Sequence, residues 1–163
     1  MKLDLKKKKL REINNTLQNL DNKKNDREFV IINPEGSHAL CAGLNQEMKV
    51  LIKGHVGYYC AGMNQKAHVT IDGNVGTGVA ENMMSGTVHV KGNASQSAGA
   101  TAHGGLLVID EAYAEFSQEI SAVTLIANNP HVIVIRTMSK AFAFAGARVG
   151  YLVSDQAVKD AMM

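Results

Sequence analysis

Between Val50 and Asp110 the chain repeats itself every 19 residues, and few folds can use a unit that short. In register, VLIKGHVG begins at Val50, VTIDGNVG at Val69, VHVKGNAS at Val88 and LVIDEAYA at Leu107 (69−50, 88−69, 107−88). Gly54, Gly73 and Gly92 fall in one column and Gly57 and Gly76 in another. Ile52, Ile71, Val90 and Ile109 make an apolar column beside Val50, Val69, Val88 and Leu107. Each copy reads as a short alternating strand followed by a glycine turn, after which the chain returns to the next start. Such a unit cannot bury its own apolar side, but a stack of them can. The expected fold is mainly β: a right-handed parallel β-helix with an N-terminal amphipathic helix and a C-terminal α/β fragment. Ile31 to Asn33 reads as an earlier rung, since Val50 again lies 19 residues on. Cys60, Val79 and Ala98 should face inward, with Leu51, Thr70, His89 and Val108 outward or toward a partner.

The fourth copy breaks after Asp110, where the glycine column meets Glu111. The chain therefore reads as a chimera of two unlike pieces that meet at Leu106 to Asp110. The expected units are residues 1–28 (helix and linker), 29–109 (β-helix) and 110–163 (α/β fragment), the last sharing the strand at 106–110. In the first unit Leu10, Ile13, Leu17 and Leu20 recur at helical spacing, predicting a helix from near Asp4 to Asp21 and Asn22. Lys6 to Lys9 read as its solvated face. Phe29 to Asn33 is expected to open the first strand.

Composition narrows the function classes. Aromatics are 5% with no Trp, and there are 15 glycines, so the core must be built from small aliphatics. A formal net charge of +2 gives no electrostatic case for nucleic acid or an acidic membrane. Cys41 and Cys60 cannot make a disulfide framework, and six histidines show no HxH or HxxxH placement, so no metal site is expected. With no apolar run of membrane-spanning length and no signal-peptide core, a cytoplasmic protein is expected.

The segments GSHALCAGL, GHVGYYCAGMN, GNVGTGVAENMMSG and GNASQSAGATAHGGLLVI resemble the glycine-rich repeats of the β-helix domain of the glutamate synthase large subunit. They also resemble its stand-alone relatives in N-methylglutamate synthase-type enzymes. The likeness covers about residues 8 to 109. It implies a noncatalytic assembly module, with flavin- or glutaminase-type partner subunits, and it assigns no catalytic residue here.

From Leu106 the pattern changes. LLVID is an apolar run ending in an acid, Ser121 to Asn128 reads as a helix, and His131 to Arg136 as a second apolar strand. That order argues for a βαβ unit with parallel strands. Ligands of such sheets sit beyond the carboxyl ends of the strands, where Asp110 to Tyr113 and Thr137 to Lys140 fall. Arg148 to Ser154 reads as a returning antiparallel strand, and Asp155 as the cap of a closing helix.

DEAYAEFS followed by RTMSKAFAFAGARVGYLV resembles the class I/II aminotransferases of the histidinol-phosphate type, over about residues 106 to 163. The family uses pyridoxal phosphate. By that likeness Lys140, 30 positions after Asp110, would take the cofactor aldehyde and later carry the substrate proton. Asp110 would hold the pyridine nitrogen protonated, which makes the ring an electron sink. Tyr113 would bond the ring oxygen, while Ser139 and Arg148 would grip the phosphate. Ala143 departs from the family's usual glycine. The expectation is a segment that is not catalytic alone. If it is active, the chain is either a pyridoxal phosphate-dependent aminotransferase for a small-molecule amino-acid substrate or a subunit of a glutamate synthase-type oxidoreductase.

Overall fold

The computed structural model describes residues 1–20, 27–111, 120–138, 146 and 149–162. Among these, eight strands form one sheet in chain order: β1 (Lys2–Asp4), β2 (Glu28–Ile32), β3 (Lys49–Lys53), β4 (His68–Asp72), β5 (Thr87–Val90), β6 (Leu106–Asp110), β7 (Val132–Thr137) and β8 (Gly150–Ser154). The helices are α1 (Leu10–Gln18), α2 (Val123–Ile126) and α3 (Gln156–Met162). β1 to β7 pair parallel, each with the next, and β8 returns antiparallel on β7. Four coils of a solenoid lie between β2 and β6. The expected parallel stack is thus present.

In-register pairing of a period-2 strand puts equivalent side chains directly over one another. One inward ladder runs Leu3, Ile31, Ile52, Ile71, Val90, Ile109, Val134, and the next runs Phe29, Val50, Val69, Val88, Leu107, Val132. All of these side chains are buried. At roughly 1.5–3 kcal/mol for each large aliphatic removed from water, the ladders are the main favourable term in this fold. Leu51, Thr70, His89 and Val108 stand on the other side of the sheet and are half-buried. The far wall of each coil contributes Leu40, Cys60, Val79 and Ala98, all fully buried, the last three as the repeat predicts. Burial holds both thiols protonated, pushing Cys60 up to about 12 and Cys41 well above the ordinary thiol range.

The corners explain the glycines. A Cβ on Gly73 would lie 2.5 Å from the Gly54 carbonyl oxygen, and one on Gly92 would lie 2.8 Å from that of Gly73. Stacked coils come too close there for any side chain. Beyond the corner, three residues per coil adopt a left-handed backbone: Ala39, Cys41 and Gly43, then Tyr59, Ala61 and Met63, then Gly78, Ala80 and Asn82, then Ser97, Gly99 and Thr101. For a non-glycine residue this costs about 1–2 kcal/mol. The bonds between coils offset it, for example from the amides of Ala39, Tyr59 and Gly78 to the carbonyls of Tyr58, Thr77 and Gln96.

Helices close both ends. α1 buries Ile13 and Leu17 in the same apolar cluster as the ladders. Its Asn14 donates to the Ala39 carbonyl (2.8 Å) and accepts from the Cys41 amide (2.9 Å), while Gln18 donates to the Ala42 carbonyl (2.8 Å). At the other end Ala122 is buried in that cluster, with Val123, Leu125 and Ile126 packed against it.

Several expectations need correction. Ile31 pairs with Ile52, and Phe29 with Val50, so the first coil is 21 residues long (52−31) and the 19-residue phase does not reach back to it. The first strand is β1, ahead of Phe29 to Asn33. The helix starts at Leu10 and not near Asp4, because the Asp4 carboxylate accepts the Lys6 amide (3.0 Å) and ends β1 in a turn. Lys6 to Lys8 therefore sit on a turn, with Lys6 paired to Glu35 (3.1 Å). α2 is shorter than the stretch from Ser121 to Asn128. The apolar cluster itself runs from Leu3 to Val134 and includes Leu107 and Ile109 of β6, which continue the ladder as the shared strand at 106–110 implies.

Candidate functional site

β6 and β7 lie side by side and parallel, with Leu107 opposite Val132 and Asp110 opposite Ile135. This is the βαβ arrangement read from the sequence. It brings the carboxyl ends of the two strands together, where ligands of parallel sheets sit. β8 and α3 also follow expectation: Gly150 pairs antiparallel with Thr137, and the Asp155 carboxylate accepts the Ala157 amide (2.9 Å).

Along β6 the burial alternates, placing Leu107 and Ile109 inward and Asp110 outward with Leu106 and Val108. Asp110 is half-buried, and no hydrogen bond reaches its carboxylate from the described residues. Its charge acts on His89, which stands opposite Val108 on β5. Burial holds the His89 imidazole below its ordinary value, aided by the positive charge of Lys91, and the Asp110 carboxylate partly opposes them.

One residue on, Glu111 points the other way and is buried at 8% exposure. A carboxylate that has lost its water needs compensation, and it receives four bonds. The Arg136 Nε and Nη2 donate to Oε2 at 3.2 and 2.9 Å, the Ser121 hydroxyl donates to the same oxygen at 2.9 Å, and the Ala122 amide donates to Oε1 at 2.5 Å. Arg136 Nη2 also reaches the Ser121 oxygen at 2.6 Å. Bonds to Tyr151 on β8, then to Glu111, raise the Arg136 guanidinium above its ordinary value. The cluster ties the end of β6 to the start of α2, to β7 and to β8. Reading the sequence missed it, because Glu111 registered only as a break in the glycine column. The available signal was a single acid extending an apolar strand, with Arg136 at the matching place in the next one.

Of the residues that resemblance assigned to a cofactor, Asp110 is the one whose place is described. Tyr113, Ser139, Lys140 and Arg148 lie outside the described residues, as does Ala143. Two clefts open elsewhere. One of about 540 Å³ lies between the corner at Asn93 to Ser97 and the Glu111, Ser121 and Leu125 side of α2. The other, of about 760 Å³, lies among Arg27, Glu47, Lys49, Lys66 and His68. Asp110 lines neither. No group of three or more His, Cys, Asp or Glu among the described residues could hold a metal ion, and no helix among them is long and apolar enough to cross a membrane.

Comparison with known proteins places the likeness in the C-terminal part. A family model described as aminotransferase class I and II matches residues 97–163. The histidinol-phosphate aminotransferase of Mycolicibacterium vanbaalenii is 61% identical over 61 residues, covering 37% of this chain and 16% of that relative. That of Mycobacterium ulcerans is 60% identical over 60 residues, covering 36% and 16%. That of Thermobifida fusca is 55% identical over 71 residues, covering 42% and 19%. The chain thus spans less than a fifth of the length of these relatives. No solved structure matches.

Proposed function

We propose that the C-terminal part of this chain is a pyridoxal phosphate-binding segment of the class I/II aminotransferase type, with histidinol-phosphate aminotransferase as its functional model. The match over residues 97–163 supports this reading. The observation that carries it is the half-buried carboxylate of Asp110, free of hydrogen bonds from the described residues at the carboxyl end of β6. A carboxylate in that state fits a protonated ring nitrogen, which offers one N–H donor and one positive charge. When bound, pyridoxal phosphate would supply the electron sink for loss of a proton from an amino-acid substrate.

The chain's own residues would then divide the work. Asp110 would hold the ring nitrogen protonated, Tyr113 would bond the ring oxygen, and Ser139 and Arg148 would hold the phosphate. Lys140 would hold the cofactor at its aldehyde end and would carry the substrate proton. A cytoplasmic setting suits such chemistry. Titration of the full chain with pyridoxal phosphate tests the reading. A visible absorbance band should form, should be lost in Lys140→Ala and weakened in Asp110→Asn, and should survive Lys159→Ala. A band equally indifferent to all three substitutions would mean that the cofactor is reacting with surface lysines.

A second reading rests on the coils. Four stacked turns with a closed apolar interior form a rigid rod that suits assembly, as the resemblance to glutamate synthase β-helix repeats implies. That resemblance rests on the repeat alone, since the family match begins only at residue 97. On this reading the partners are flavin- or glutaminase-type subunits or further copies of the chain. Recovery of such a subunit with the tagged chain supports it, and recovery of none counts against it.

A further inference from the structure

We propose that Glu111 is a positioning residue for Asp110, acting through the bonded cluster it forms with Arg136, Ser121 and the Ala122 amide; this rests on the cofactor reading above. Asp110 and Glu111 are consecutive at the end of β6 and face opposite sides of the sheet, so a rotation that turns one carboxylate turns the other. On the Asp110 side the described residues offer no hydrogen bond that would fix the carboxylate's direction. On the Glu111 side the fixing is complete. Its two oxygens take four donors from three points of the fold, with the Arg136 fork at 3.2 and 2.9 Å, the Ser121 hydroxyl at 2.9 Å and the Ala122 amide at 2.5 Å. The end of β6 also hangs on β7 through the Glu111 amide, which donates to the Ile135 carbonyl at 2.8 Å.

The cluster is built as a clasp and not as a ligand site. Each Glu111 oxygen is occupied, and Arg136 is further engaged with Tyr151. Arg136 and Thr137 belong to the same strand end that leads toward Lys140, so the clasp also sets the spacing between the two carboxyl ends on which the proposed cofactor site depends. Preorganisation of this kind places a functional carboxylate on rigid elements through a buried support beneath it.

The test compares two variants of the full chain that both lose stability. Glu111→Gln keeps the side chain's size but weakens the clasp, and Val90→Ala opens a cavity in the ladder two coils before β7 without touching the clasp. Each is titrated with pyridoxal phosphate, and the visible circular dichroism of the bound cofactor is read beside the thermal melting point. The induced dichroism reports how the ring is held, which a merely structural loss does not change. With wild type giving a dichroic band, Glu111→Gln should lose most of it and bind about tenfold more weakly, the usual effect of removing a supporting residue. Val90→Ala should retain the band at a comparable loss in melting point. Equal retention by both variants overturns the positioning role and leaves the cofactor reading standing. Absence of any wild-type band overturns the cofactor reading, and the inference falls with it.

Discussion

His55 and Asn74 do the same work with different side chains. The His55 Nδ1 accepts the Asn74 amide at 2.9 Å, and the Asn74 Oδ1 accepts the Asn93 amide at 3.0 Å, each joining one corner to the next. The column therefore asks for an acceptor one coil away and not for an imidazole. His55→Asn should unfold in urea at the wild-type midpoint, whereas His55→Ala should cost about 1 kcal/mol, the net worth of one such bond. His89 makes a different prediction. Its folded pKa lies below the ordinary 6.5, first through burial and then through Lys91, so the unfolded chain takes up the proton more readily. The stability gained from neutral His89 is complete above about 6.5 and declines as the pH falls below that toward the folded value. His89→Gln should flatten this part of a stability profile. Asp110→Asn, which removes the opposing charge, should lower the His89 midpoint further in a proton NMR titration.

At the scale of elements, the spacing between coils is fixed at the corners. The Gly73 position has a carbonyl oxygen 2.5 Å from where a Cβ would go, and that oxygen belongs to backbone that cannot swing aside. Gly73→Ala should therefore cost about 1–3 kcal/mol, as overpacking does, and calorimetry should show a lowered melting point. β3 to β6 were legible in the sequence because Ile52, Ile71, Val90 and Ile109 recur with the glycines at constant spacing. β2 was legible as a strand but not in register, since the first coil carries two extra residues. β1 was not legible at all: three residues beside a lysine run hold too little periodicity, and Leu3 is buried only because Ile31 lies next to it. The left-handed residues escaped for a related reason. Cys41, Tyr59 and Met63 give no local hint of positive φ, which the bonds between coils impose on them. In the candidate site Asp110 was legible as an acid closing an apolar strand. Glu111 was not, because its importance lies in Arg136 and Ser121, 25 and 10 residues away.

For the molecule as a whole, the account depends on one apolar ladder passing through the place where the sequence changes character. If Ile109 hands on to Val134 as Ile71 does to Val90, then β6 and β7 end side by side and Asp110 stands where a parallel sheet presents its ligands. That continuity also covers the open end of the coils, whose apolar interior and strand edges would otherwise invite aggregation. Methyl-labelled NMR of the full chain tests it most directly. The account predicts cross-relaxation between the methyl groups of Ile52 and Ile71, Ile71 and Val90, Val90 and Ile109, and Ile109 and Val134. Contacts that continue down the ladder to Ile109 but are missing between Ile109 and Val134 would contradict it.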